Sequence, residues 1–179
     1  MTVYIALLRG INVGGHNVLP MKALREILVG LGLAEVKTYI QSGNCVFETE
    51  ITDRDALAER IAGQIETSFL FRPSVLILTK EELRAALSGN PFAAIVDDPK
   101  SVNLFFLKSP AQCPDLEGLE AARKAGETFQ LIGQVFYLYT PNGFHNSKIG
   151  ARVEQFLGVS ATARNLRSAT KIMELASSN

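Results

Sequence analysis

A chain of 179 residues, 47% of them apolar, has room for one domain or two small ones with a real core. Charged residues make up 20% and balance to zero formal net charge. That balance weighs against broad electrostatic binding to nucleic acid or to an anionic membrane. No stretch approaches the roughly 20 apolar residues of a membrane span. The opening "MTVYIALLRG" is too short, and lacks the basic lead, for a signal peptide.

"VYIALLR" (3–9) reads as a buried strand. Met21, Leu24, Leu28 and Leu31 then recur at helical spacing, with Pro20 before them and Gly32 after. "VKTYIQ" (36–41) and "NCVFET" (44–49) predict a hairpin with a two-residue turn at Ser42-Gly43. Asp53 is placed to cap a helix whose Leu57, Ile61, Ile65 and Phe69 share one face. "SVLILT" (74–79) completes a β-α-β-β-α-β order. Thr79 and Glu82 form a capping-box pattern for a short helix, and residues 90–100 form a turn-rich linker. The order then repeats. "VNLFFLK" (102–108) is a strand, 115–126 a helix, 128–140 a hairpin folded at Gly133-Gln134, 147–158 a helix, 160–165 a short strand and 168–177 a final helix. The expected class is α+β: two ferredoxin-like units with mixed, mainly antiparallel sheets and an additional C-terminal helix. Residues 1–79 form the first unit, 80–100 a helix and linker, and 101–179 the second unit with the last helix.

Between the first strand and helix lies "LLRGINVGGHN" (7–17). Residues 10–15 have P-loop spacing, but His16 and Asn17 stand where a P-loop needs Lys and Ser/Thr. The usual triphosphate chemistry is therefore excluded. The glycines still permit a concave run of backbone N–H groups that suits an anion. In this topology strand 3 lies beside strand 1, so loop 10–20 and the hairpin tip 41–44 share one end of the sheet. Arg9 and Asn44 then become neighbours across Gly14-Gly15, and helix 2 brings Arg72 to the same rim. That rim gathers Arg9, Asn12, His16, Asn17, Gln41, Ser42, Asn44 and Arg72, with no carboxylate among them. Two readings stay open: a site for an anionic or carbonyl-rich ligand, or a self-satisfied network that holds the loop.

"LLRGINVGGHN", "MKAL", "TYIQSGN" and Phe47, with "NPF" (90–92), "TARN" and Lys171, closely resemble a bacterial family of uncharacterised proteins, the domain-of-unknown-function family 1697. The resemblance implies two ferredoxin-like units and no established activity. It marks Arg9, Gly10, Asn12, Gly14, Gly15, Asn17, Gln41, Ser42, Gly43 and Asn44, and towards the C-terminus Ser147, Lys148, Arg164, Asn165 and Lys171. The family's usual Trp after Arg-Asn is Leu166 here.

The tail beyond 145 sets Lys148, Arg152, Arg164, Arg167 and Lys171 against Glu154 and Glu174. Lys148, Arg164, Asn165 and Lys171 form a second candidate patch, with a solvated basic face as the plainer reading. No metal-ligand spacing and no nucleophile motif is evident, and neither an enzymatic activity nor a cofactor can be named. Cys45 and Cys113 lack a partner pattern and read as reduced thiols in a cytoplasmic protein. The expected function is binding of a small anionic ligand, a nucleotide or phosphate-bearing metabolite, at the rim. The alternative is a non-enzymatic RNA- or protein-interaction module using a sheet face, with Tyr4 and Phe47 on the central strands.

Overall fold

A computed structural model describes residues 1–178 of the chain. The chain is α+β and the β-α-β-β-α-β order occurs twice. The first round comprises β1 (Thr2–Arg9), α1 (Met21–Gly30), β2 (Ala34–Tyr39), β3 (Asn44–Thr49), α2 (Arg54–Phe69) and β4 (Ser74–Thr79). The α3 helix (Lys80–Ser88) follows. The second round comprises β5 (Val102–Leu107), α4 (Leu116–Ala122), β6 (Thr128–Ile132), β7 (Val135–Tyr139), α5 (Val153–Leu157) and β8 (Ala161–Asn165), and α6 (Leu166–Ser177) ends the chain. The sheets run β2-β3-β1-β4 and β6-β7-β5-β8, and every ladder is antiparallel. Contacts group Met1–Arg84 with the segment from Lys171 onward as one compact unit, and Ala85–Thr170 as the other.

The first unit is built on the face of β1 that carries Tyr4, Ala6 and Leu8. These meet Cys45 and Phe47 of β3, Ile77 of β4, the Leu24–Leu28 stripe of α1 and the Leu57–Ile61–Ile65 stripe of α2. Asp53 starts α2, its carboxylate accepting from the Ala56 N–H at 2.9 Å. At α3 the capping box is complete: Glu82 accepts from the Thr79 N–H at 2.8 Å, and the Glu82 N–H donates to the Thr79 hydroxyl at 3.1 Å. In the second unit Phe105, Leu107, Phe136 and Leu138 pack beneath Leu119 of α4 and Val153, Phe156 and Leu157 of α5.

Three expectations shift. The β2–β3 turn spans four residues, Ile40–Gly43, because Ile40 takes φ 48° and leaves the strand after Tyr39. The α4 helix stops at Ala122, where Arg123 turns to extended backbone. The helix expected over 147–158 is only Val153–Leu157. Before it residues 148–152 run as turns, with Gly150 under the Phe144 ring, where a Cβ would lie 2.6 Å from that ring.

Candidate functional site

The glycine loop is a miniature hairpin. Val13 and His16 bridge, the His16 N–H donating to Val13 O at 3.0 Å, and Gly14 and Gly15 at the tip have φ of 58° and 79°. Positive φ at both central positions is the type I′ turn, which Gly enters without a Cβ clash. One step outward the Asn12 N–H donates to Asn17 O at 3.1 Å. Asn12 and Asn17 are themselves left-handed, at φ 53° and 51°. Asn tolerates that region better than most residues.

Asparagine side chains fix this hairpin in place. The Asn12 amide donates to Leu19 O at 3.0 Å and to Gln41 O at 2.8 Å, and its oxygen accepts from the Leu19 N–H at 2.8 Å. One side chain therefore ties the loop to its exit and to the tip of the β2–β3 hairpin. Asn17 closes the loop base, donating to Gly10 O at 2.7 Å. Asn44, 1% exposed, staples the tip from inside by donating to Tyr39 O at 3.0 Å and to the Ser42 hydroxyl at 2.9 Å. Gly43 has to be glycine here: a Cβ would sit 2.6 Å from Leu8 Cβ and 2.8 Å from Ile11 Cδ1.

The strand order brings the loop and the tip to one end of the first sheet. Asn44 pairs with Leu7, two positions before Arg9, and Arg9 itself pairs with Ser74. The amides of Asn12, Asn17 and Asn44 are engaged internally, while Arg9, His16 and the Gln41 side chain are exposed. Gln41 enters the network through its carbonyl. The notion of a rim whose arginines meet no carboxylate fails at Arg72. Its guanidinium lies 2.6 Å from both Glu66 and Glu59, bonds that push its pKa further up. The same end exposes Val13, Val18, Ile40 and Leu70; Leu70 is 91% exposed and left-handed at φ 61°. Nothing in the composition singles out this apolar fringe.

The C-terminal candidates are divided. Asn165 accepts from the Ser168 N–H at 2.8 Å and so caps α6. Arg164, one residue earlier, projects from the opposite sheet face by strand alternation and donates to Ala163 O at 2.7 Å. Lys171 pairs with Glu174 at 2.7 Å in the segment grouped with the first unit. Lys148 is exposed and follows buried Ser147. Asn103, a buried amide in β5, leaves only a faint mark in the sequence, one polar residue inside the apolar run "VNLFFL".

Tyr4 and Phe47 lie in the helix-side core, 5% and 0% exposed, so neither ring is open to a base. Cys45 is buried and Cys113 exposed, both as free thiols. Among the described residues no group of three or more His, Cys, Asp or Glu is arranged to hold a metal. None of the described helices is long and apolar enough to cross a membrane.

No curated protein matches the chain. Among solved structures, a conserved bacterial protein from Streptococcus pneumoniae is similar at 25% sequence identity and a TM-score of 0.72, over 98% of each chain. Residues 1–137, which include the glycine loop and the asparagine latch, match the profile of a family described as "Protein of unknown function (DUF1697)", and the chain belongs to that family.

Proposed function

We propose that the protein binds a small anionic ligand, a nucleotide or another phosphate-bearing metabolite, at the rim formed by loop 10–17 and hairpin tip 41–44. The observation that carries this reading is the turn at Gly14-Gly15. Its two exposed N–H groups meet no acceptor among the described residues, and Asn12 and Asn17 hold the turn in a fixed position. Unpartnered N–H groups on a braced loop suit an oxyanion without further ordering. Arg9, exposed at the end of β1 that leads into this loop, adds a permanent cation, and the Gln41 amide adds donors from the facing tip. In this reading Asn12, Asn17, Ser42 and Asn44 shape the rim, and Arg9, Gly10, Gly14, Gly15 and Gln41 line it. The sheet-face alternative loses ground, because Tyr4 and Phe47 are buried.

A thermal-shift screen of nucleotides and phosphorylated metabolites tests the proposal. A ligand at 100 times its Kd stabilises by about 2.7 kcal/mol. In Arg9→Ala that shift should vanish while the urea midpoint stays near wild type, since an exposed charge contributes ~0–1 kcal/mol. If no compound moves the melting curve, the ligand reading falls. If Arg9→Ala drops the midpoint steeply, Arg9 belongs to the latch.

A further inference from the structure

The second unit contains a group that its own fold leaves unsatisfied. Asn103 of β5 is 6% exposed and pairs with Leu138 of β7 on one side and Asn165 of β8 on the other. Among the described residues its Nδ2 is a buried donor with no hydrogen-bond acceptor. Strand alternation places the side chain on the face of Phe105 and Leu107, which α4 and α5 cover. Its neighbours there offer little. Leu138 and Phe105 carry no polar side-chain atom, and the Asn165 oxygen, which accepts from Ser168, takes no bond from Asn103. Buried amides are almost always partnered, so an open one requires a physical explanation.

The loop after β7 meets the chain on either side of this position. It leaves the sheet at Thr140, whose N–H donates to Ser101 O at 2.8 Å, and settles where the Phe144 ring meets the Phe105 ring at 5.9 Å. Asn103 lies between Ser101, just before β5, and Phe105 within it. The loop then delivers Ser147 and Lys148. The buried Ser147 hydroxyl accepts from the Gly150 N–H at 3.1 Å, and no acceptor for its own proton occurs among the described residues. The Lys148 ammonium likewise has no carboxylate partner among them. The buried carboxylate at this end, Glu127, accepts from the Lys124 N–H at 2.9 Å.

We propose that this end of the second unit binds an oxyanion, a carboxylate or phosphate group, with Asn103 Nδ2 as its buried donor and Ser147 and Lys148 as donors from the loop after β7. Three donors lacking acceptors are the chemical complement of an anionic oxygen. The site is separate from the rim of the first unit and does not depend on it.

The test is an NMR titration of the 15N-labelled full chain with inorganic phosphate, and separately with acetate. The Asn103 side-chain NH2 and the Gly150 amide are followed. The expected result is a saturable shift of both signals with one of the two anions. Affinity should fall about tenfold in Lys148→Ala, a surface change, and stay unchanged in Arg9→Ala. Signals that neither anion moves would mean that Asn103 meets only water, and the proposal would be overturned. A shift of equal affinity in wild type and Lys148→Ala would also overturn the donor set.

Discussion

The two units repeat one strand order, but one asparagine of the second is used unlike those of the first. In the first, Asn12, Asn17 and Asn44 each close a gap in the backbone, so that two loops become one rigid end. In the second, Asn103 lies within a strand and is more buried than Asn12 or Asn17, yet its donor is open. A satisfied amide fixes geometry; an unsatisfied buried one costs about 1–3 kcal/mol unless something outside the fold completes it. The same residue type therefore marks architecture at Asn12, Asn17 and Asn44 and a candidate binding position at Asn103.

The largest test of this contrast is at the hairpin turns. Gly43→Ala should cost about 3 kcal/mol, read from the urea midpoint, because the new methyl overlaps Leu8 and Ile11 at a positive φ. The corresponding turn of the second unit, at Gly133, has φ 57° but nothing within 4 Å of a Cβ, so Gly133→Ala should cost only ~1 kcal/mol. Equal losses at the two sites would show that the first tip is not packed as described.

Next is the latch itself. Asn12→Ala removes all three of the Asn12 side-chain hydrogen bonds and should cost about 2 kcal/mol. Hydrogen exchange should show the Leu19 amide losing its protection. An unchanged Leu19 amide would mean that the loop is held by its backbone alone.

Tyr137 provides a smaller, pH-dependent comparison within the second unit. Its hydroxyl donates to Ala86 O at 2.7 Å, and desolvation by burial raises its pKa. A raised phenol pKa means that the folded state holds the proton more tightly. The contribution is full below the unfolded value of about 10 and is lost as pH rises through the folded value. Tyr137→Phe should cost about 1 kcal/mol at neutral pH and remove that alkaline loss from a stability-versus-pH series.

The smallest effect expected is a gain. Leu70 ends α2 in the left-handed region while 91% exposed, so it has strain and little packing. Leu70→Gly should relieve that strain, with part of the benefit cancelled by the greater freedom of glycine in the unfolded chain, for a net gain of ~0.5 kcal/mol by thermal melting.

Much of this architecture is legible from local chemistry. The Leu57–Ile61–Ile65 stripe, the Asp53 cap and the Thr79–Glu82 box each depend on residues within a few positions of one another, and each forms as its spacing implies. The expected strand order follows from short connections and handedness, and it places loop 10–17 beside tip 41–44. The α5 boundary was not legible in the same way. Residues 148–152 run as turns instead, and the Phe144 ring lies against Gly150 there, a contact that no helical periodicity relates.

What the sequence by itself determined is therefore the list of elements, their order, the apolar face of each and the two regions rich in polar residues. Period and capping are short-range physics, and glycine and asparagine at 10–17 already imply left-handed backbone. The tertiary structure decided what those polar residues do. Whether an amide is satisfied depends on which carbonyl arrives opposite it. For Asn12 that carbonyl is Gln41, 29 positions away, brought there by the β1–β3 pairing. For Arg72 two carboxylates arrive from α2. For Asn103 no acceptor arrives from the described residues. Hydrogen-bond satisfaction is a property of three-dimensional neighbours, and sequence spacing does not encode it.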